Sequence, residues 1–210
     1  MNSADGFEIE AKLIAPDWTQ LTQFPAALEA MGAYVSDSTE LQFADHYLDT
    51  ADLHVMRAGW ALRWRSFPAR SVLTLKALRA PVDGVAVREE IEEEISGTLE
   101  DGLPVDILGG RVKEMVDGAD LQLLFSLHQS RSLRNAVFST GLQLEVCCDQ
   151  IRWTGAESQE EEFVAELEVK EGTEEQLRQL LARLLESLDW KTSKLSKFER
   201  GMEVAGLASK

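Results

Sequence analysis

The stretch Glu8-Ile9-Glu10-Ala11-Lys12-Leu13 constrains this chain more than any other feature. Charged and apolar residues alternate along it. Residues two apart in a β-strand share a face. Glu8, Glu10 and Lys12 therefore project one way, and Ile9, Ala11 and Leu13 the other. One such strand would say only that one face is wet. The pattern returns, however, in almost every later strand-like segment, and the charge signs are sorted. Arg63 and Arg65 alternate with Leu62 and Trp64, and Lys76 shares a face with Val72 and Thr74. Arg88, Glu90, Glu92 and Glu94 fall together, as do Glu145, Cys147 and Asp149, and then Glu166, Glu168 and Lys170.

The pattern predicts about eight strands. After the first come Thr39–Asp49, Trp60–Phe67, Ser71–Ala77, Val87–Ile95, Gln129–Phe138, Gly141–Trp153 and Phe163–Lys170. Short turns join most of them, which favours antiparallel pairing. Helices fill the gaps. One opens at Pro16-Asp17 and runs to about Met31, with Gly32 as its stop and Pro25 as a kink or a marker of a later start. A short helix spans Leu53 to Arg57, and another covers Pro104 to Val116, with Asp120–Phe125 as a further turn. Thr173 and Gln176 form a capping box ahead of Leu177, Leu180, Leu181, Leu184, Leu185 and Leu188. These leucines read as core.

At 210 residues, a single domain spanning 1–210 is expected. No run approaches the roughly 18 apolar residues of a membrane span. The first residues have neither a basic nor an apolar signal segment. Cys147 and Cys148 are adjacent and would face opposite ways on a strand, so a disulfide between them is not expected. A reducing, cytoplasmic setting fits. The net charge of −16 makes nucleic acid and anionic membranes poor partners. Oligomeric state is left open.

Sorted charges on one face and apolar residues on the other fit an α+β fold. Its centre would be a closed eight-stranded antiparallel β-barrel with a charged lumen and helices packed outside. Such a lumen is wet, because so many unsolvated ions would be prohibitively unstable. A polyphosphate with divalent cations satisfies both signs together. Arg and Lys meet phosphate oxygens, and carboxylates hold Mg²⁺ or Mn²⁺.

These residues resemble the CYTH superfamily of triphosphate tunnel metalloenzymes. The matches are Glu8-x-Glu10-x-Lys12, Tyr47-Leu48-Asp49-Thr50, Leu62-Arg63-x-Arg65, Thr74-Leu75-Lys76, Arg88-x-Glu90-x-Glu92, Arg131, Asp149, Glu166-x-Glu168 and Leu195-Ser196-Lys197, in family order. The resemblance implies that Glu8, Glu10, Asp149, Glu166 and Glu168 bind metal. It implies that Lys12, Arg63, Arg65, Lys76, Arg88, Arg131 and Lys197 bind phosphate, with Lys12 and Glu90 closest to the chemistry. Glu90 would orient a cation or a water, or pair with a neighbouring Arg.

Within the group, the motif wording is most similar to bacterial inorganic triphosphatases. These often continue into a CHAD domain, and none is expected here. The implied activity is metal-dependent hydrolysis of tripolyphosphate or a related triphosphate, a small-molecule substrate. Alternatives are a class IV-type adenylate cyclase, a thiamine triphosphatase, or a non-catalytic polyphosphate- or nucleotide-binding module. Ala61 stands where the thiamine enzymes carry Trp, which counts against that substrate. Gln129 and Leu133 flank Arg131 where the cyclases tend to carry cations, which counts against cyclisation. His46, His54 and His128 fit no metal spacing.

Overall fold

Strand β1 (Phe7–Ala15) is paired along both edges, and this closes the sheet. The computed structural model describes residues 6–96, 108–154 and 159–207. In chain order β1 is followed by α1 (Trp18–Ala30), β2 (Ala33–Val35), β3 (Thr39–Thr50), α2 (His54–Arg57), β4 (Trp60–Ser66), β5 (Ser71–Ala77) and β6 (Val85–Ile95). Then come α3 (Arg111–Val116), β7 (Leu121–Phe138), β8 (Gln143–Thr154), β9 (Gln159–Glu171), α4 (Glu174–Ser187), β10 (Lys191–Thr192) and α5 (Lys197–Val204). Eight strands pair in the order β1-β6-β5-β4-β3-β7-β8-β9, and β9 returns to β1. All the pairings are antiparallel. The ring therefore leaves few free edges. β2 and β10 lie outside it, on β7 and β1.

Strand parity sets what each face does. The outward residues Ala11, Leu13, Leu144, Val146, Ala165 and Leu167 pack with Leu21, Phe24 and Leu28 of α1 and with Leu177, Leu180, Leu181 and Leu184 of α4. Each such fully buried leucine contributes about 1.5–3 kcal/mol through burial alone. Both helices are capped as their sequences suggest. Asp17 accepts from the Gln20 amide, and Thr173 and Gln176 complete their capping box. A second outer cluster joins Leu62, Trp64, Leu73 and Leu75 to Val55 of α2 and to Val112 and Val116 of α3.

A third cluster lies on the inner face. Tyr47, Phe125, Leu127, Ile151, Trp153 and Val164 meet Phe198 and Met202 of α5. These strand residues all lie on the same side of the charged positions along their strands: Ile151 and Trp153 beyond Asp149, Phe125 before Arg131, Val164 before Glu166. Apolar side chains and α5 thus fill one end of the ring's interior, and the charges occupy the rest. Gly201 lies so close to Phe125 that an added Cβ would overlap its ring.

Some boundaries differ from expectation. Residues Leu121–Phe125 are not a turn but the start of β7, which pairs with the end of β3 across a bulge between Tyr47 and Leu48. The apolar run Leu123-Leu124-Phe125 there hides the alternation. α3 begins at Arg111, and the anticipated helical residues 104–107 lie outside the described residues. α1 runs through Pro25 as one helix. No helix among the described residues is long and apolar enough to cross a membrane.

Candidate functional site

Inward positions of the ring line a cavity of about 580 Å³. Its walls carry Glu8, Glu10 and Lys12 from β1, Arg63 and Arg65 from β4, and Lys76 from β5. Arg88, Glu90 and Glu92 come from β6, Arg131 from β7, Glu166 and Glu168 from β9, and Lys197 from α5. The structure therefore brings every sequence-predicted site residue except Asp149 to this one cavity. Asp149 has no exposed surface and sits behind Arg131 and Lys197. Lys197 is placed by local chemistry. Ser196 caps α5 in a second capping box with Glu199, which fixes Lys197 as the first helical residue.

The signs are sorted around the ring. Register sets Glu10 opposite Glu168 and Lys12 opposite Glu166 on β1 and β9, and Glu145 opposite Glu168 on β8 and β9. This forms an acidic sector on β8, β9 and β1. β4, with Arg63 and Arg65, stands four strands from β9 either way round the ring. Close ion pairs run within and between these sectors. Lys12 lies 3.1 Å from Glu10 and 3.3 Å from Glu166. Lys76 lies 3.4 Å from both Glu10 and Glu90 and touches Glu8. Arg88 touches Glu10. Arg63 lies 3.2 Å from Glu92 and 3.6 Å from Glu90, and Arg131 reaches Glu166 at 2.8 Å.

Protonation follows from these contacts. Burial alone would raise Glu90, but Lys76 and Arg63 outweigh it and hold its carboxyl below the ordinary value. Burial would raise Glu166 too, but Lys197, Lys12 and Arg131 together outweigh it and keep the carboxyl well below the ordinary value. Glu168 goes the other way. Burial, then the nearby Glu8 charge, push it up to about 7. Burial pushes the Cys147 thiol far up, so it remains a thiol at neutral pH and offers no nucleophile.

Among the described residues, no three acids or histidines converge on one point as they stand. Lysine and arginine groups lie between them. The acidic sector still suits a hard divalent cation. Glu8 Oε2, Glu10 Oε1 and Glu166 Oε1 are buried on the cavity wall and are met by the cations Lys76, Lys12, Arg88 and Lys197. Carboxylate oxygens are the donors that Mg²⁺ and Mn²⁺ prefer. Asp149 fits less well, since it does not line the cavity and Arg131 and Lys197 hold its oxygens. The histidines lie apart from the cavity. His46 bonds Ser126, and His54 bonds the Val116 carbonyl.

Sequence reading missed Asp45 and Phe43. Asp45 is fully buried and accepts two bonds from Arg65, and Arg65 also stacks on the Phe43 ring with its guanidinium carbon 4.2 Å from the centroid. Their signal was parity. Both share the inward face of β3 with Tyr47. Asp49, by contrast, is structural. It accepts the amides of Thr50, Val55 and Met56 and anchors α2.

A CYTH domain model matches residues 6–202. Among solved structures, the Hippeastrum protein HpAC1, an adenylyl cyclase candidate described as having a dominant triphosphatase activity, is 22% identical. The match has a TM-score of 0.64 and covers 93% of this chain and 95% of that one. A candidate adenylate cyclase from Bacillus halodurans is 19% identical, with a TM-score of 0.65 and coverage of 93% and 98%. The capping enzyme triphosphatase of mimivirus is 10% identical, with a TM-score of 0.50 and coverage of 88% and 90%. At such identities these likenesses concern the fold. No curated protein matches in sequence.

Proposed function

The chain belongs to the CYTH domain family, and from that premise we propose that it is a metal-dependent triphosphatase. In this reading the ring is a triphosphate tunnel, a closed barrel, and its substrate is inorganic triphosphate. One observation carries the reading: Arg63, Arg65 and Lys76 face the same 580 Å³ cavity as Glu8, Glu10, Glu166 and Glu168. An anion with many oxygens suits the first group, and a hard cation suits the second. The described triphosphatase activity of the Hippeastrum protein points the same way.

Lys12, Arg63, Arg65, Lys76, Arg88, Arg131 and Lys197 hold the phosphate oxygens and spread their charge. When the lysines turn towards phosphate, they release carboxylates they now neutralise. Glu8, Glu10, Glu166 and Glu168 are then the groups that would hold Mg²⁺ or Mn²⁺. Asp149 could join them only by giving up Arg131 or Lys197. A bound divalent cation would neutralise charge on the phosphate oxygens as the anhydride breaks. Glu90, kept ionised by Lys76 and Arg63, accepts a hydrogen bond from the attacking water and orients it. Water is the nucleophile, so no covalent intermediate is needed.

The test is phosphate release from tripolyphosphate, ATP and thiamine triphosphate in Mg²⁺ and then Mn²⁺, with a chelator control. Fast, metal-dependent release from tripolyphosphate alone supports the reading. Cyclic AMP formation from ATP without phosphate release would replace it with a cyclase. Tight binding with neither product would leave a binding module.

A further inference from the structure

Asp45 has no exposed surface and does not itself line the cavity. Arg65 donates Nε to Oδ1 at 2.7 Å and Nη2 to Oδ2 at 2.9 Å. Gln129 donates its amide nitrogen to Oδ2 at 2.7 Å, and an Arg63 nitrogen lies 3.9 Å from the same oxygen. The Gln129 carbonyl oxygen in turn accepts Lys197 Nζ at 2.6 Å. Gln129 is also buried, and only this amide orientation matches donors to acceptors at both ends. A single acid thus holds Arg65 and, through one amide, supports the ammonium of Lys197, which Asp149 also holds at 2.9 Å. Both cations face the cavity, on elements far apart in sequence.

We propose that Asp45 is a positioning residue that, with Gln129 as its relay, holds Arg65 and Lys197 at the spacing required by the phosphates. This rests on the triphosphate reading above. A long cation whose geometry is set before binding loses less freedom when the anion arrives. The arrangement also explains why Gln, and neither an acid nor an apolar residue, stands at 129. An acid there would face Asp45, and an apolar residue would leave Lys197 one partner short.

The experiment measures tripolyphosphate KM and kcat for the wild type, Asp45→Asn, Arg65→Ala and the double variant. It also measures hydrogen exchange of the Arg65 Nε–H by NMR without ligand. Asp45→Asn should raise KM about tenfold, the order expected for losing a charged hydrogen bond. The kcat should move less than about threefold. The double variant should be no worse than Arg65→Ala, and Arg65 Nε–H exchange should accelerate. A KM within about twofold of wild type, or losses that simply multiply in the double variant, overturns the proposal. Should Asp45→Asn fail to fold, Gln129→Met carries the test. Its KM effect should vanish in a Lys197→Ala background, and persistence there overturns the relay. If the wild type neither binds nor hydrolyses tripolyphosphate, the functional reading falls on its own. The exchange data then decide the anchoring, and unchanged Arg65 exchange in Asp45→Asn rejects it.

Discussion

Arg131 meets Asp149 with two nitrogens, Nε and Nη2, each 2.7 Å from a carboxylate oxygen. Lys197 adds a third bond at 2.9 Å. Burial alone would raise Asp149, but Arg131 and Lys197 prevail and hold its carboxyl below the ordinary value. The acid and the guanidinium therefore stabilise each other where neither meets much water. Asp149→Ala would leave Arg131 with Glu166, and Lys197 with Gln129 and Glu166, as their remaining partners in a buried site. Breaking a buried pair from one side costs about 3–5 kcal/mol, and equilibrium urea unfolding should show a loss of that order. A loss below about 1 kcal/mol would mean the pair is solvated in solution.

Glu10 is 3% exposed and sits among Lys12, Lys76 and Arg88. Glu10→Gln keeps the volume and removes the charge. Phosphate release should fall by about a hundredfold or more, the order seen when one electrostatic group is lost from an active site, while the far-ultraviolet circular dichroism stays native. Normal turnover in this variant would remove Glu10 from the acidic sector's function. Lys76→Ala should act on the other side, raising KM with a smaller change in kcat.

Much of this site was legible in the sequence because β-strand parity is local. Glu8, Glu10 and Lys12, or Arg63 and Arg65, declare a shared face without reference to any partner. What the alternation could not give is which acid each cation would take. Asp149 aligns with Glu145 and Cys147 on the strand, yet only the β7–β8 register, which sets Arg131 opposite it, shows that its oxygens are spoken for. Asp45 was hidden by its neighbours, since His46 and Tyr47 made the strand evident while the inward acid passed as ordinary. The apolar end of the cavity was also out of reach. Phe125, Ile151 and Phe198 are distant in sequence and meet only after closure.

Asp45 also gives a pH signature. Burial would raise it, but Arg65 and then Arg63 outweigh burial and hold its carboxyl well below the usual range. Its unfolded value is about 3.9. A carboxyl depressed by folding adds stability above the unfolded value and loses it as pH falls below that value. The thermal midpoint of the wild type should therefore drop more steeply between about pH 5 and pH 3 than that of Asp45→Asn. Parallel curves would show that the Asp45 carboxyl titrates alike in both states.

Gly201 tests whether α5 sets the position of Lys197. Alanine inside a helix is usually better than glycine by about 0.5–1 kcal/mol. Here the added Cβ would overlap the Phe125 ring, itself stacked on Tyr47 at 4.8 Å between centroids. Overpacking of this kind costs about 1–3 kcal/mol, so it wins, and the helix moves outward or Phe125 is displaced. Lys197 opens that helix, 2.6 Å from Gln129 and 2.9 Å from Asp149. Gly201→Ala should therefore lower the thermal midpoint and also raise the tripolyphosphate KM. Adding Phe125→Leu makes room and should restore part of both. Recovery of stability without recovery of KM would show that Lys197 keeps its place independently of α5.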